Sequence, residues 1–243
     1  MENQTKVGMN RTGMQMAPAQ GAAQVEYAAQ RPPHPETGSE LEIAKVRADY
    51  IAEAERVGSV PVPATGKGLL ETAKGKLKGD NPEVLFDKLG ERAAYERSGV
   101  RLYQAMIGKV EASQHPDSAA LLADLQHIME EEFQHFQMLS DLITDMGGDP
   151  TAQTPCADIS AVAAMDIIQV LTDPRTTLAQ CLQGLLTAEM TDNAAWELLI
   201  ELAEQAGHEE LVPQFQKALA AEAEHEAKIK QWLRTMVMED THE

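Results

Sequence analysis

The sequence has little cysteine, few aromatic residues and a shortage of basic charge. Its two cysteines, Cys156 and Cys181, form no Cys-x-x-Cys pair, which excludes a zinc ribbon or a rubredoxin-type centre within this chain. Aromatic residues make up 4% of the 243 positions, and no run of alternating β-branched residues marks a strand. Lys and Arg number 20 against 39 Asp and Glu, a formal net charge of −19 that repels nucleic-acid phosphates. No run of about 18 apolar residues stands out as a membrane span. Met1-Glu2-Asn3-Gln4 does not open a basic and then apolar secretory leader. The expectation is a cytoplasmic protein with neither nucleic acid nor membrane as a partner.

What is abundant is Ala, Leu, Met, Glu and Gln, all good helix formers, and the apolar share of 43% is enough for one sizeable core. The composition therefore predicts an all-α protein. Residues 1–38, rich in Gln, Ala, Pro and Gly, read as a disordered tail. Its Met9, Met14 and Met16 are soft donors that suit Cu(I), although a plain tail is the simpler reading. Residues 39–79 read as a helical extension: Ser39 caps a helix from Glu40 to about Val57, and a short helix follows from Lys67 to Leu77 with a basic cluster of Lys67, Lys74, Lys76 and Lys78.

Residues 80–243 read as four long helices. Asn81-Pro82-Glu83 opens the first, which runs to about Ala112. The second follows the turn Gln114-His115-Pro116-Asp117 and stops at Gly147-Gly148-Asp149-Pro150. A long connection, with a short helix from Ile159 to Leu171, leads to a third helix opened by Asp173-Pro174 and closed by Gly207. The fourth starts near Leu211 to Pro213 and reaches about Met238. Two short connections make two antiparallel pairs, and the long one travels the length of the bundle, so the expected fold is a four-helix bundle with one long crossover.

Each long helix carries an apolar seam with a near seven-residue repeat: Leu89, Glu96, Tyr103, Val110; Leu125, Glu132, Leu139, Met146; Leu182, Glu189, Trp196, Ala203; Phe215, Glu222, Ile229, Met236. Every seam is interrupted once, and always by Glu. On the second and fourth helices His follows three residues later, as His135 and His225, on the same face as its Glu. Glu96 lies 16 residues before the first hairpin turn and Glu132 lies 15 after it, which places both about 24 Å from the turn at about 1.5 Å rise per residue. Buried carboxylates without counter-charge are costly, and the seams read as free of Lys and Arg, so metal cations are the expected partners. Four carboxylates and two imidazoles suit iron or manganese. A single Glu-x-x-His is weak, and the third copy, Glu239 to His242 at the C-terminus, reads as a decoy; the ordered pattern on four seams carries the inference.

That pattern resembles the ferritin-like di-iron carboxylate superfamily over about residues 82 to 238, and its paired Glu-x-x-His motifs are more similar to bacterioferritin and rubrerythrin than to animal ferritin. The resemblance implies two Fe ions, with Mn an alternative, held by Glu96, Glu132, His135, Glu189, Glu222 and His225, with Glu132 and Glu222 bridging. It also implies a homo-oligomer and an oxidoreductase that reacts with peroxide or dioxygen, supplied by an electron donor that the sequence does not identify. Iron storage and manganese catalase are the alternatives. Asp192, three residues after Glu189 where rubrerythrin-like proteins carry an extra glutamate, is a candidate catalytic carboxylate or ligand. Tyr103, two turns from Glu96, is a second candidate catalytic residue, with core packing as its plainer role, and Trp196 shares both readings. Gly99 reads either as room for an oxidant beside the metals or as a close helix contact. Glu131 could replace Glu132 as ligand but sits off the apolar seam, and His127 and His208 read as peripheral.

Overall fold

A computed structural model describes residues 17–30, 38–63, 65–66, 68–70, 73, 81–113 and 115–241. The described residues contain helices and no strand. They divide between Arg56 and Val57 into two units.

The first unit holds α1 (Pro18–Gln30) and α2 (Glu40–Glu53). α1 lies inside the segment expected to be disordered. Pro18 is its first residue, where a missing N–H costs nothing, and the Ala- and Gln-rich stretch behind it contains no further proline. α2 starts as expected: Ser39 accepts from the Glu42 amide, and the Glu42 carboxylate accepts from the Ser39 amide. It ends at Glu53, four residues short of the expected Val57 and well before Pro61. The lysines Lys67, Lys74, Lys76 and Lys78, with most of the helix expected around them, lie outside the described residues, as do Met9, Met14 and Met16.

The second unit is the bundle, built from α3 (Pro82–Ala112), α4 (Ser118–Asp145), α5 (Pro155–Thr172), α6 (Leu178–Gln205) and α7 (Val212–Asp240). α3 pairs with α4, α6 with α7, and α3 also packs on α6 and α4 on α7. α5 is the crossover and lies against α3 and α6. Local signals set most boundaries. α4 and α6 end in the same way: Gly147 (φ 88°) and Gly207 (φ 76°) take left-handed conformations, and the next amides, Gly148 and His208, donate back to Ile143 and Ala203. The Asn81 side chain makes no cap bond, so Pro82 and the first-turn Glu83 mark the start of α3 without it. α5 begins at Pro155, earlier than the expected Ile159, because Thr154 Oγ1 accepts from the Ala157 amide. α6 begins at Leu178 and not at Asp173-Pro174. Asp173 instead ends α5 and binds Arg175, while Thr177 and Gln180 form the capping box of α6.

α5 corrects one expectation. Over its 18 residues the mean hydropathy is 1.3, so by length and composition one helix among the described residues could cross a membrane. Its inner residues Ala157, Ala164 and Leu171 are buried, whereas Ile159, Val162 and Met165 face outward.

The seams behave as their spacing predicts. Every member of the four repeats is buried except the terminal Met146. The apolar members form two separate clusters, one around Leu102, Met106, Leu125, Leu182 and Ile229, the other around Leu89, Leu139, Trp196, Leu199 and Phe215. The four glutamates occupy the layer between them.

Candidate metal centre

Seven-residue spacing directs Glu96, Glu132, Glu189 and Glu222 to one level, and all four are at most 2% exposed. His135 and His225 stand one turn further along α4 and α7, and each turns Nδ1 inward. His135 Nδ1 lies 2.7 Å from Glu222 Oε1 and 3.5 Å from Glu96 Oε2. His225 Nδ1 lies 3.0 Å from Glu222 Oε2, 3.7 Å from Glu132 Oε1 and 3.8 Å from Glu189 Oε2. Donor atoms of Glu132, Glu189, Glu222 and His225 lie within 4.8 Å of one another, as do those of Glu96, His135 and Glu222, and those of Glu96, Glu132, Asp192 and Glu222. Glu222 is common to all three groups, and Glu132 joins the Glu189 side to the Glu96 side. The structure thus brings together all six residues expected from sequence, with one terminal Glu and one His at each end and two carboxylates between.

The donors fit cations. Both carboxylate oxygens of Glu96, Glu132 Oε2, Glu189 Oε2 and Glu222 Oε1 are buried without a hydrogen-bond donor, and His135 Nδ1 is buried without an aligned acceptor. Such groups cost free energy unless something satisfies them. Hard oxygen with borderline nitrogen is the donor set of iron and manganese.

Protons report the same crowding. Burial, followed by the charges of Glu222, Glu96 and Glu189, pushes the Glu132 carboxyl well above the usual range. Burial and Glu222 push Glu189 up to about 8. Burial also acts on Glu222, but the imidazoles of His135 and His225 outweigh it and hold this carboxyl at about 2. For both histidines burial favours the neutral ring, yet the surrounding carboxylates raise them to about 9. Raised carboxyls and imidazoles in the metal-free cluster thus hold protons that cations would displace.

Several neighbours were illegible or misread in the sequence. No Lys or Arg stands in the four repeats, but Arg92, four residues before Glu96 and 2% exposed, brings a cation to the cluster from beside the seam. Its Nη2 lies 2.7 Å from Asp192 Oδ1 and 3.3 Å from Glu96 Oε1. Arg92 sits one turn before Glu96, and its partner Asp192 is 100 residues away, so no local pattern announced the pair. Glu131, weighed as a replacement for Glu132, is in none of the three donor groups and instead approaches His225 Nε2 with Oε2 at 2.9 Å. His127 remains largely exposed, 3.4 Å from the same oxygen. His208 is at the α6–α7 turn against Glu210. Tyr103 is fully buried and its hydroxyl donates to Glu189 Oε1 at 2.5 Å; burial and the Glu189 charge keep this phenol protonated. Trp196 packs edge-on to His135 with ring centroids 5.8 Å apart, and its Nε1 has no hydrogen-bond partner. Asn193 Nδ2 donates to the Glu189 and Glu222 carbonyls, tying α6 to α7 at the level of the cluster. Of the third Glu-x-x-His copy, His242 lies outside the described residues.

Among solved structures, ferritin-like, diiron-carboxylate proteins from Bacillus anthracis str. Ames align at 19% identity over 61% of this chain and 94% of theirs, with a TM-score of 0.49. Dps from Thermosynechococcus elongatus aligns at 16% identity over 66% of this chain and 94% of its own, with a TM-score of 0.53, a likeness of fold. No curated protein matches. The model of the ferritin-like domain matches residues 87–238, a span that contains all six clustered donors, the whole of α4, α5 and α6 and most of α3 and α7, and the chain accordingly belongs to the ferritin-like family.

Proposed function

We propose that this protein is a di-iron oxidoreductase that reacts with peroxide or dioxygen. The observation that carries the reading is the largely buried six-donor set, in which two Glu–His ends flank Glu132 and Glu222. Glu96 with His135 and Glu189 with His225 would hold one iron ion at each end, with Glu132 and Glu222 shared between them, and the ions would supply the electrons for reducing the oxidant. The Glu131 carboxylate against His225 Nε2 fixes that ring with Nδ1 inward. Tyr103 orients Glu189 through its hydroxyl. The apolar clusters on either side exclude water from the layer. Manganese suits the same donors.

Iron storage uses the same donors and the same fold, and is the second reading. Anaerobic loading with Fe(II), then stopped-flow mixing with peroxide or with dioxygen, tests the enzyme: rapid repeated oxidation with a reductant present is expected. Oxidation that stops after one turnover, with iron accumulating inside a hollow 24-subunit particle, would establish storage instead. A smaller homo-oligomer is expected for the enzyme.

A further inference from the structure

Arg92 is a cation built into the wall of the centre. Besides the contacts of Nη2 with Asp192 and Glu96, its Nη1 donates to the Asp192 carbonyl at 3.5 Å. Its Cζ stands 4.8 Å from the centroid of the Tyr95 ring and 5.5 Å from that of Trp196. Tyr95 is itself tied across to α6, its hydroxyl donating to the Ala188 carbonyl at 3.1 Å. Two aromatic faces and two carboxylates leave the guanidinium no route to water, and its planar fork suits contact with both acids at once.

Asp192 is the other half of the matter. It is 2% exposed, and one of its oxygens lies within 4.8 Å of oxygens from Glu96, Glu132 and Glu222. A carboxylate so placed is in reach of the ions those glutamates would hold. Neither Arg92 Nη2 nor Asp192 Oδ1 has an aligned hydrogen bond, so charge and enclosure hold the two together more than bond geometry does.

We infer that Arg92 is a positioning residue of the metal centre, which keeps Asp192 out of the ligand set while retaining Glu96 in it. The inference rests on the metal-centre reading above. The charges agree with it. Glu96, Glu132, Glu189, Glu222 and Asp192 carry five negative charges when ionised, Arg92 carries one positive charge, and the remainder of four equals the charge of two divalent ions. Without Arg92 the pocket holds one negative charge too many for such a pair, and Asp192 is free to become a seventh ligand. The corresponding place on α3, three residues after Glu96, is Gly99, so only one half of the bundle carries this extra acid, and the resident cation lies closer to it than to Glu96.

Co(II) titration of the metal-free protein, followed by bound metal and by ligand-field absorption, tests this. The parent protein is expected to take up two equivalents. Asp192→Asn should leave the absorption per ion at saturation unchanged, because Asp192 is not a ligand, while affinity falls as three net negative charges face the ions' four. Arg92→Gln should lower the absorption per ion by about twofold as coordination rises, and Arg92→Gln with Asp192→Asn should restore the parent spectrum, which general loosening of the core would not do. A changed spectrum in Asp192→Asn, or an unchanged one in Arg92→Gln, overturns the inference while leaving two bound ions in place. If Arg92→Gln does not fold, Asp192→Asn alone decides by the same criterion. A parent protein that binds no Co(II) overturns the metal centre itself and this inference with it.

Discussion

Gly99 on α3 and Glu132 on α4 occupy one space: a Cβ added to Gly99 would lie 2.1 Å from Glu132 Oε2 and 2.8 Å from its Cδ. The missing side chain is filled by the carboxylate that joins the two ends of the cluster, which gives the mid-helix glycine a use that neither an oxidant cavity nor backbone contact describes. Gly99→Ala should therefore separate stability from binding. Alanine favours a helix interior by about 1 kcal/mol over glycine, and the atom it meets is the end of a flexible side chain. The metal-free melting temperature should stay level or rise by a few degrees. Divalent affinity should fall about tenfold or more, measured by chelator competition, which corresponds to about 1.4 kcal/mol. Undiminished affinity would mean that Glu132 can ligate from elsewhere.

Metal analysis after loading with Fe(II) or Mn(II) should find about two ions per chain, since six donors form two equivalent ends. Glu132→Ala with Glu222→Ala removes the carboxylates shared between those ends and should abolish binding. Retention of both ions in that double variant would place them elsewhere.

Metal removal should lower stability, and more so at higher pH. Glu189 is raised from 4.5 to about 8 and the two histidines from 6.5 to about 9. Over those intervals the folded metal-free protein binds more protons than the unfolded chain, so its stability is full below the unfolded values and declines as pH rises. Glu222, lowered to about 2, acts oppositely and costs stability only as pH falls below about 4.5. Thermal melts of the metal-free protein should peak near pH 4.5 and fall from there, most steeply above about pH 6.5, where Glu189 and both histidines lose their extra protons together. The gap to the metal-loaded protein should widen from pH 6 to 9, because protons compete with metal for the same groups. A gap that narrows over this range would show that the cluster is not the site of metal-linked stabilisation.

Tyr103→Phe removes the single hydroxyl that donates to Glu189 Oε1. In the metal-loaded protein, where Glu189 would be ionised, a hydrogen bond to a charged group contributes about 1.5–3 kcal/mol, and its loss should lower the melting temperature by several degrees. The ion count should remain at two, with peroxide oxidation slowed severalfold. An unchanged rate would reduce Tyr103 to a packing residue.

Lys109→Met provides the contrast. Lys109 Nζ donates to the Asp173 carbonyl at 2.6 Å and the Thr176 carbonyl at 3.1 Å, and also to Thr176 Oγ1, locking the end of the crossover to α3. Losing these bonds should cost about 1–3 kcal/mol of stability. Metal affinity should not change, because none of the six donors touches Lys109.

The sequence alone was enough to place six donors, because each Glu interrupts an otherwise apolar seven-residue repeat and an amphipathic helix must turn that seam inward. The same periodicity located the long helices, and glycine and proline at their ends located the turns. Local signals misled where two competed: Asp173-Pro174 resembles a helix start, yet the Thr177–Gln180 capping box four residues later prevails. In the N-terminal segment, Pro and Gly suggested disorder, but Pro18 sits at the one helical position that tolerates it. What only the tertiary structure decided are the partners brought together from distant helices. Arg92 resembles any charged residue on an amphipathic helix until α6 presents Asp192 beside it. Glu131 looks solvated until His225 arrives from α7, and Gly99 looks like a weak point in a helix until the Glu132 carboxylate fills it. Periodicity specifies which face of a helix is buried, but the neighbour that each buried group meets depends on how helices 100 residues and more apart in sequence are packed.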